Sequence, residues 1–375
     1  MSLDIQIVST KKEENDFIEL PWDLHSRDDN WVPPLKISVK NTLNPVKNPF
    51  FKHALVCKWI AYKDGKRVGR IAAFLDSRHN EFHNEKTAHF GFFESIDDQA
   101  VANALIQVAS DWTKEQGSDI LRGPMNPSTN HTCGMQISAF DTKPYVMMTQ
   151  NPNYYPTLME QAGLVKAKDL YAWIIDKKCQ RHDRLLKLAK AKEESEGIQI
   201  RHLNLKDYHN EIESLYTVYH DAWEKNWEFV PMNHEEFCFM ANEMKSFVIP
   251  SLSYIVEVKG EVAAFSLFLP DLNQVCYKIK DGKLFPTGLL KFIYYAKMKK
   301  IMTQGRIPIL GVRKKFQPMG LSSMMFMRLF VEAAAKGILA VECSWILEDN
   351  KAMNNWLKLM DAKMYKTYRI FEKQL

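Results

Sequence analysis

The sequence predicts an α/β (α+β) chain made of two tandem units, each a mixed, mainly antiparallel sheet flanked by helices. Two observations predict it. The first is an internal repeat. Lys63–Leu75, a hairpin turn running into an apolar strand, is echoed by Lys259–Leu269, with Val68 matching Val262. Phe90-Gly91 is echoed by Leu310-Gly311, the helix-ending Gly117 by Gly337, and Ala162-x-Leu164-x-Lys166 by Ala362-x-Met364-x-Lys366. Matches in one order along both halves indicate duplication with loop insertions, chiefly at 270–306. The second observation is the stretch 307–337. It reads as an apolar strand, a basic turn containing Gln317-x-x-Gly320-x-Ser322, and a long apolar helix stopped by glycine.

Each unit reads as strand hairpin, strand, helix, strand, helix, strand. In the second half Ser253–Val258 and Val262–Leu269 alternate around Lys259-Gly260, a hairpin turn. Pro286 opens a helix running to about Ile301, Ile307–Val312 is a strand, and Leu321–Lys336 is a helix. Ile338–Trp345 is a strand, Asn350 caps a helix to Met360, and Met364–Phe371 closes the sheet. The expected boundaries are 1–178 and 198–375. Residues 179–197 connect them through a polar, solvated helix, Gln180–Glu196, stopped by Gly197.

Composition excludes several classes. In 375 residues, 46% apolar and 25% charged side chains are those of a soluble globular protein of two ordinary domains. A net charge of +5 is too mild to argue for nucleic acid. No apolar run reaches membrane-spanning length and the polar N-terminus lacks a signal-peptide core, so a cytoplasmic protein without a membrane partner is expected. The 6 cysteines are scattered with no Cys-x-x-Cys pair, which favours reduced thiols. His79-Asn-Glu-Phe-His83, with His89 nearby, reads as a polar loop between strands. Its glutamate does not directly follow the first histidine, as a zinc-binding helix would need, and no metal is expected.

The 307–337 stretch has the make-up of a phosphate site, with backbone N–H groups converging at a helix start and no large side chain at Gly320. The order strand, Gln-x-x-Gly-x-small, helix resembles the motif by which the GNAT acyltransferase superfamily holds the pyrophosphate of acyl-coenzyme A. Over nearly the whole chain, Trp31-Val-Pro-Pro34, Pro49-Phe-Phe-Lys-His53, Gly69-Arg-Ile-Ala-Ala73, Phe90-Gly-Phe-Phe-Glu94, Asn151-Pro-x-Tyr-Tyr155 and Glu342–Asn350 are similar to bacterial tandem GNAT-like proteins.

The resemblance implies acetyl-CoA or another acyl-CoA as the donor. Leu310 and Val312 would pair with the pantetheine arm. Gln317, Met319, Gly320, Leu321 and Ser322 would surround the pyrophosphate, with charge from Arg313, Lys314 and Lys315, and Asn350 either touching the cofactor or capping its helix. Pro318 lacks an N–H, and Ser322 stands where the family prefers Gly or Ala. The matching turn of the first half, Phe93–Ala100, is acidic at Glu94, Asp97 and Asp98 and has no glycine, so a degenerate first unit without cofactor is expected.

For chemistry, Glu342 on the strand Ile338–Trp345 is the candidate base, or else a carboxylate paired with Arg369 or Lys366. Leu357 occupies the place of the tyrosine that often protonates the thiolate, leaving Tyr368 or Tyr365 to substitute. Acceptor candidates are Trp223, Asn226 and Trp227 at a helix end, Asp271 and Asn273 after a strand, and Asn126 and Tyr154 in polar loops of the first half expected to cover the second half's cleft. The expected function is an acyl-CoA-dependent N-acyltransferase acting on a small amine or amino-acid-like acceptor. A non-catalytic acyl-CoA or metabolite binder is one alternative. A Fem-like transferase using aminoacyl-tRNA is another, and only it would take nucleic acid.

Overall fold

The computed structural model describes residues 2–176, 187, 193–194, 196–224 and 226–375; the expected connector helix Gln180–Glu196 lies largely outside them. The strands are β1 Leu3–Ile7, β2 Ala54–Lys63, β3 Lys66–Asp76, β4 Thr87–Ser95 and β5 Ile120–Gly123, then the short β6 Met125–Asn126, β7 Thr132–Cys133 and β8 Met135–Gln136. They continue as β9 Val165–Asp176, β10 Ile198–His202, β11 Tyr254–Val258, β12 Glu261–Pro270, β13 Gln304–Val312, β14 Ala340–Leu347 and β15 Lys363–Gln374.

The chain forms two compact units. Unit 1 comprises Met1–Leu170, Asn273–Lys299 and Lys366–Leu375, and unit 2 comprises Tyr171–Leu272 and Lys300–Tyr365. The units therefore do not follow the two sequence halves: the 273–299 insertion and the end of β15 fold with unit 1, whose β5 pairs antiparallel with Phe371–Gln374.

Within unit 1 the order is β1-β2-β3-β4-β5-β15, and within unit 2 it is β9-β14-β13-β12-β11-β10. The pairing repeats from one to the other. β1–β2, β2–β3 and β3–β4 are antiparallel and β4–β5 parallel. Likewise β10–β11, β11–β12 and β12–β13 are antiparallel and β13–β14 parallel. Duplication is thus visible in three dimensions. The sequence reading missed the first strand of each unit, although Leu3-x-Ile5-x-Ile7 and Ile198-x-Ile200 carry the alternation of half-buried strands. It also missed the helices Lys11–His25, Lys36–Thr42 and His234–Lys245, and of Tyr208–Ala222 it gave only the end at Trp223.

Both faces of each sheet are covered. In unit 2 helix Leu321–Ala335 packs Met325, Phe326 and Leu329 on one face with Val256 and Ala264, while helix Tyr208–Ala222 packs Leu215, Val218 and Tyr219 on the other with Ile255 and Phe265. Alternate residues of β11 and β12 serve the two cores, as the two-residue strand period requires. Unit 1 repeats this with Leu105 and Ile106 on one side and Phe17, Ile60 and Phe74 on the other.

Two local expectations change. Ser77–His83 is a helix, because the Asp76 carboxylate accepts from the N–H groups of Arg78 and His79 and caps it. The helix after Pro286 is regular only over Thr287–Ile293 and continues as a wider turn, Tyr294–Met298.

Unit 1 also holds a buried charged cluster. Glu94 Oε2 meets His25 Nε2 at 2.7 Å and accepts from the Tyr155 hydroxyl at 2.8 Å, while its Oε1 lies 3.4 Å from Arg70. Burial alone would push the Glu94 carboxyl up, but His25, Arg70 and Tyr155 together hold it below its ordinary value of 4.5. Its stabilising contribution is therefore full above that value and fades as pH drops through the lowered one. Glu94→Ala, which strands Arg70, is expected to cost about 3–5 kcal/mol in urea unfolding at neutral pH, with a smaller difference from the parent chain in acid.

Candidate functional site

The site rests on where β13 and β14 part. Their parallel ladder runs from Gln304↔Ala340 to Ile307↔Cys343 and stops. The next residue, Pro308, has no N–H to give, and the β12–β13 register also shifts there, between Leu267 and Leu269. Beyond it Leu310 and Val312 pair with Ser266 and Ala264 of β12, with the other edge past the end of the β14 ladder.

The turn that follows, Lys314–Met319, ends at Gly320, whose φ of +68° is left-handed and favours glycine. A Cβ built there meets nothing within 4 Å, so the glycine faces open space. Helix Leu321–Ala335 starts with no side-chain cap, so Leu321 and Ser322 contribute N–H groups at an end without a carboxylate. Gln317 closes the turn, its carbonyl accepting from the Gly320 N–H at 3.3 Å, and Met319 is partly buried against the core.

The basic residues are engaged. Arg313 bridges Asp221 at 3.2 Å and Glu261 at 2.6 Å, Lys315 reaches Glu261 at 2.5 Å, and Lys314 pairs with Glu224. Lys315, with Arg313, holds the Glu261 carboxyl below its ordinary range, and the Glu224 bond raises Lys314. The positive charge expected at the turn is thus matched by carboxylates from other elements. Asn350 caps helix Lys351–Leu359, its side chain accepting from the Met353 N–H at 3.1 Å.

At the base of the fork lies Glu342, fully buried, opposite Arg306 in the ladder. Arg306 Nε is 3.6 Å from Glu342 Oε1 and donates to Ser344 Oγ at 2.9 Å, and Ser344 Oγ donates to Glu342 Oε1 at 2.5 Å. The Tyr365 hydroxyl donates to the other oxygen, Oε2. Within unit 2 the carboxylate of Glu342 is thus held by Arg306, Ser344 and Tyr365. Arg369 binds Asp169 at 2.8 and 3.1 Å, and Lys366 donates to the Thr142 carbonyl at 2.8 Å, both within unit 1. Sequence reasoning missed Arg306 and Ser344; the signal was an arginine inside the strand 304–312, where only a buried partner makes it tolerable. The adjacent Cys343 thiol is pushed up by burial, with Glu342 adding to the effect. The Trp345 indole N–H, on the parted end of β14, is buried without a hydrogen-bond partner among the described residues.

Other expected positions are distributed. Tyr368 belongs to unit 1, fully buried and opposite Gln136 on β8, whereas Tyr365 of unit 2 carries the phenol that reaches Glu342. Leu357 is completely buried in the unit 2 core. Trp223 packs beside Tyr219 and Phe265 and lies so close over β13 that a Cβ on Gly311 would fall 2.3 Å from its ring. Asn226 N–H donates to the Trp223 carbonyl at 2.8 Å, shaping the turn that carries Trp227. Asp271 is buried at the end of β12, its N–H bonded to the Gln304 carbonyl at 2.8 Å.

Asn126, Tyr154 and Asn273 lie in unit 1 and hold its own main chain. Asn126 Oδ1 accepts from the Phe92 N–H at 2.6 Å, the Tyr154 hydroxyl donates to the Ser95 carbonyl at 2.9 Å, and Asn273 Nδ2 donates to the Pro144 and Tyr145 carbonyls at 2.9 Å. Burial, with Asp97 and Glu94 nearby, pushes the Tyr154 phenol up to about 12. In unit 1 the β4–β5 ladder likewise stops, at His89↔Arg122. There the chain itself covers the open edge: a Cβ on Gly91 would lie 2.0 Å from the Met125 carbonyl oxygen. The following helix is capped by Asp98, which accepts from the Ala100 N–H and pairs with Lys63 at 2.6 Å.

Parted parallel strands, a glycine turn and an uncapped helix define the class. Solved structures share the fold. A tandem GNAT protein from the clavulanic acid biosynthesis pathway matches 100% of this chain and 98% of its own at TM-score 0.57 and 11% identity. The GCN5-related glucosamine N-acetyltransferase region of a fungal multi-domain GH3 β-N-acetylglucosaminidase matches 99% of this chain and 38% of its own at TM-score 0.59 and 12% identity. The chain has the fold of these tandem GNAT structures. It belongs to the same family as Protein YghO of Escherichia coli (strain K12), 36% identical over 380 residues (98% of this chain, 95% of YghO), and the bacterial ceramide synthase of Caulobacter vibrioides (strain NA1000 / CB15N), 35% identical over 378 residues (100% and 98%). No protein-family model matches the sequence.

Because Glu261 holds both Arg313 and Lys315, Glu261→Gln is expected to free Lys315 for an anion while Arg313 keeps Asp221. Isothermal titration with coenzyme A should then show binding about two- to five-fold tighter at low salt, with the gain shrinking as salt rises.

Proposed function

We propose that this chain is an acyl-CoA-dependent N-acyltransferase whose acceptor is the amine of a long-chain amino alcohol, giving a ceramide-type amide. The fold supports acyl transfer, and the acceptor is suggested by the Caulobacter relative, a bacterial ceramide synthase similar along essentially its whole length. The carrying observation in this chain is the parted edge of β13 leading into the open Gly320 turn and an uncapped helix. These features fit a pantetheine arm and a pyrophosphate, with Leu310, Val312, Gln317, Met319, Leu321 and Ser322 around them.

In the reaction the amine nitrogen forms a bond to the thioester carbonyl carbon, the carbon–sulfur bond breaks, and one ammonium proton must leave. Glu342 takes that proton, with Tyr365 linking the buried carboxylate to partly exposed space. Arg306 and Ser344 fix the carboxylate's position, and Trp345 N–H is a donor available to the carbonyl oxygen as charge develops. The proton finally goes to the departing thiolate through Tyr365, since Leu357 offers none. Trp223, Trp227 and Asp271 stand as the acceptor-facing residues of unit 2 under this reading, and Asn350 as a cap.

Leu357 together with the ion-paired basic turn favours a second reading, a protein that binds acyl-CoA without turning it over. Thermal melts with coenzyme A and palmitoyl-CoA, followed by thiol release in the presence of sphinganine, separate the two. Stabilisation abolished by Gly320→Glu, together with thiol release lowered about 10²- to 10⁴-fold in kcat by Glu342→Gln at unchanged donor KM, is the outcome expected for the enzyme. Stabilisation with no release across sphinganine and shorter amines would leave only the binder.

A further inference from the structure

The 273–299 segment of unit 1 presents an apolar face to solvent. Leu290 is 69% exposed and Met298 73%, with Ile293 and Tyr294 exposed between them and Phe285 61% exposed just before. The spacing i, i+3, i+4, i+8 is that of a stripe which ordinarily turns toward a core. Here the stripe turns outward. Its base is nonetheless firmly built: the Trp22 indole donates to the Lys280 carbonyl at 3.0 Å, the Lys36 N–H donates to the Gly282 carbonyl at 2.9 Å, and a Cβ on Gly282 would fall 2.3 Å from the Trp22 ring.

Charge says what covers it. Lys278, Lys280, Lys283, Lys291, Lys297 and Lys299 are all exposed on this segment, against Asp281 as its acid. Lys143, Lys278 and Lys280 crowd one ring, their ammonium groups 4.5, 5.4 and 3.6 Å from the Tyr277 centroid. Unlike the segment, the chain as a whole carries 50 basic against 45 acidic residues. Outward leucine, isoleucine and methionine with tyrosines, ringed by lysine, match an interface of acyl chains beneath anionic headgroups. Lysine stems add apolar length while their ammonium groups reach the headgroups.

We propose that residues 285–299 dock this protein on the surface of an anionic lipid bilayer, lying in the interface without crossing it. This departs from the sequence expectation of no membrane partner; among the described residues no helix is long and apolar enough to span. The inference stands on unit 1 alone and does not need the proposed acceptor.

Flotation of the full chain with vesicles tests it. Binding to phosphatidylglycerol–phosphatidylcholine vesicles, and much less to pure phosphatidylcholine, is expected. Leu290→Asp/Met298→Asp should weaken it about ten-fold or more, and Lys291→Gln/Lys297→Gln/Lys299→Gln about a hundred-fold. Val46→Asp, at an apolar side chain 92% exposed elsewhere, should leave binding unchanged. Melting temperatures and the coenzyme A shift should match the parent in all of these variants, so that a failure here is distinct from a failure of the acyltransferase reading. The idea is overturned by absence of vesicle binding, by binding that survives the Leu290/Met298 change, or by a dimer in light scattering that this change disperses.

Discussion

The parting of two parallel strands after Ile307 is the constraint on which the candidate site depends. A parallel ladder continues only while its residues supply backbone groups toward the partner, and the β13–β14 ladder ends at Ile307, just before Pro308, where the register against β12 also shifts. Past that point, among the described residues, β13 is paired with β12. Arg306 and Glu342 are a rung just below the opening, where low dielectric makes each costly alone and valuable to the other. Ser344 and Tyr365 complete the satisfaction of the buried carboxylate.

Duplication shows the same scaffold resolved in two ways. Unit 1 repeats the parting of its parallel strands, then fills the gap with its own residues. Asn126 supplies the acceptor that a neighbouring strand would have supplied to Phe92, and Gly91 admits the Met125 carbonyl. Asp98 takes the place at the helix start that Gly320 leaves clear in unit 2. A carboxylate and a phosphate compete for the same N–H groups, so the cap itself opposes an anionic ligand there.

Much of this was legible in the sequence because strands and turns carry their signals locally. Alternating apolar residues, Lys259-Gly260 and Gly320 announced the repeat and the turn, and the first-half acids announced a different turn there. What the sequence hid was long-range. That Arg313, Lys314 and Lys315 would meet Asp221, Glu224 and Glu261 depends on packing of separate elements, as does the meeting of Arg306 with Glu342. The division of β15 between units has no local mark either, since Tyr365 and Tyr368 sit three residues apart in one continuous strand. An outward stripe at 290–298 has the periodicity of an inward one, and only exposure tells them apart.

Self-filling in unit 1 has a metabolic corollary. A tethered segment has an effective concentration that never varies, so that half is held shut whatever the cell's supply of thioesters. Unit 2, on the proposed reading, gains stability with the logarithm of how far its donor exceeds the dissociation constant. On that reading the same duplicated scaffold answers to its ligand in one copy and to its own chain in the other.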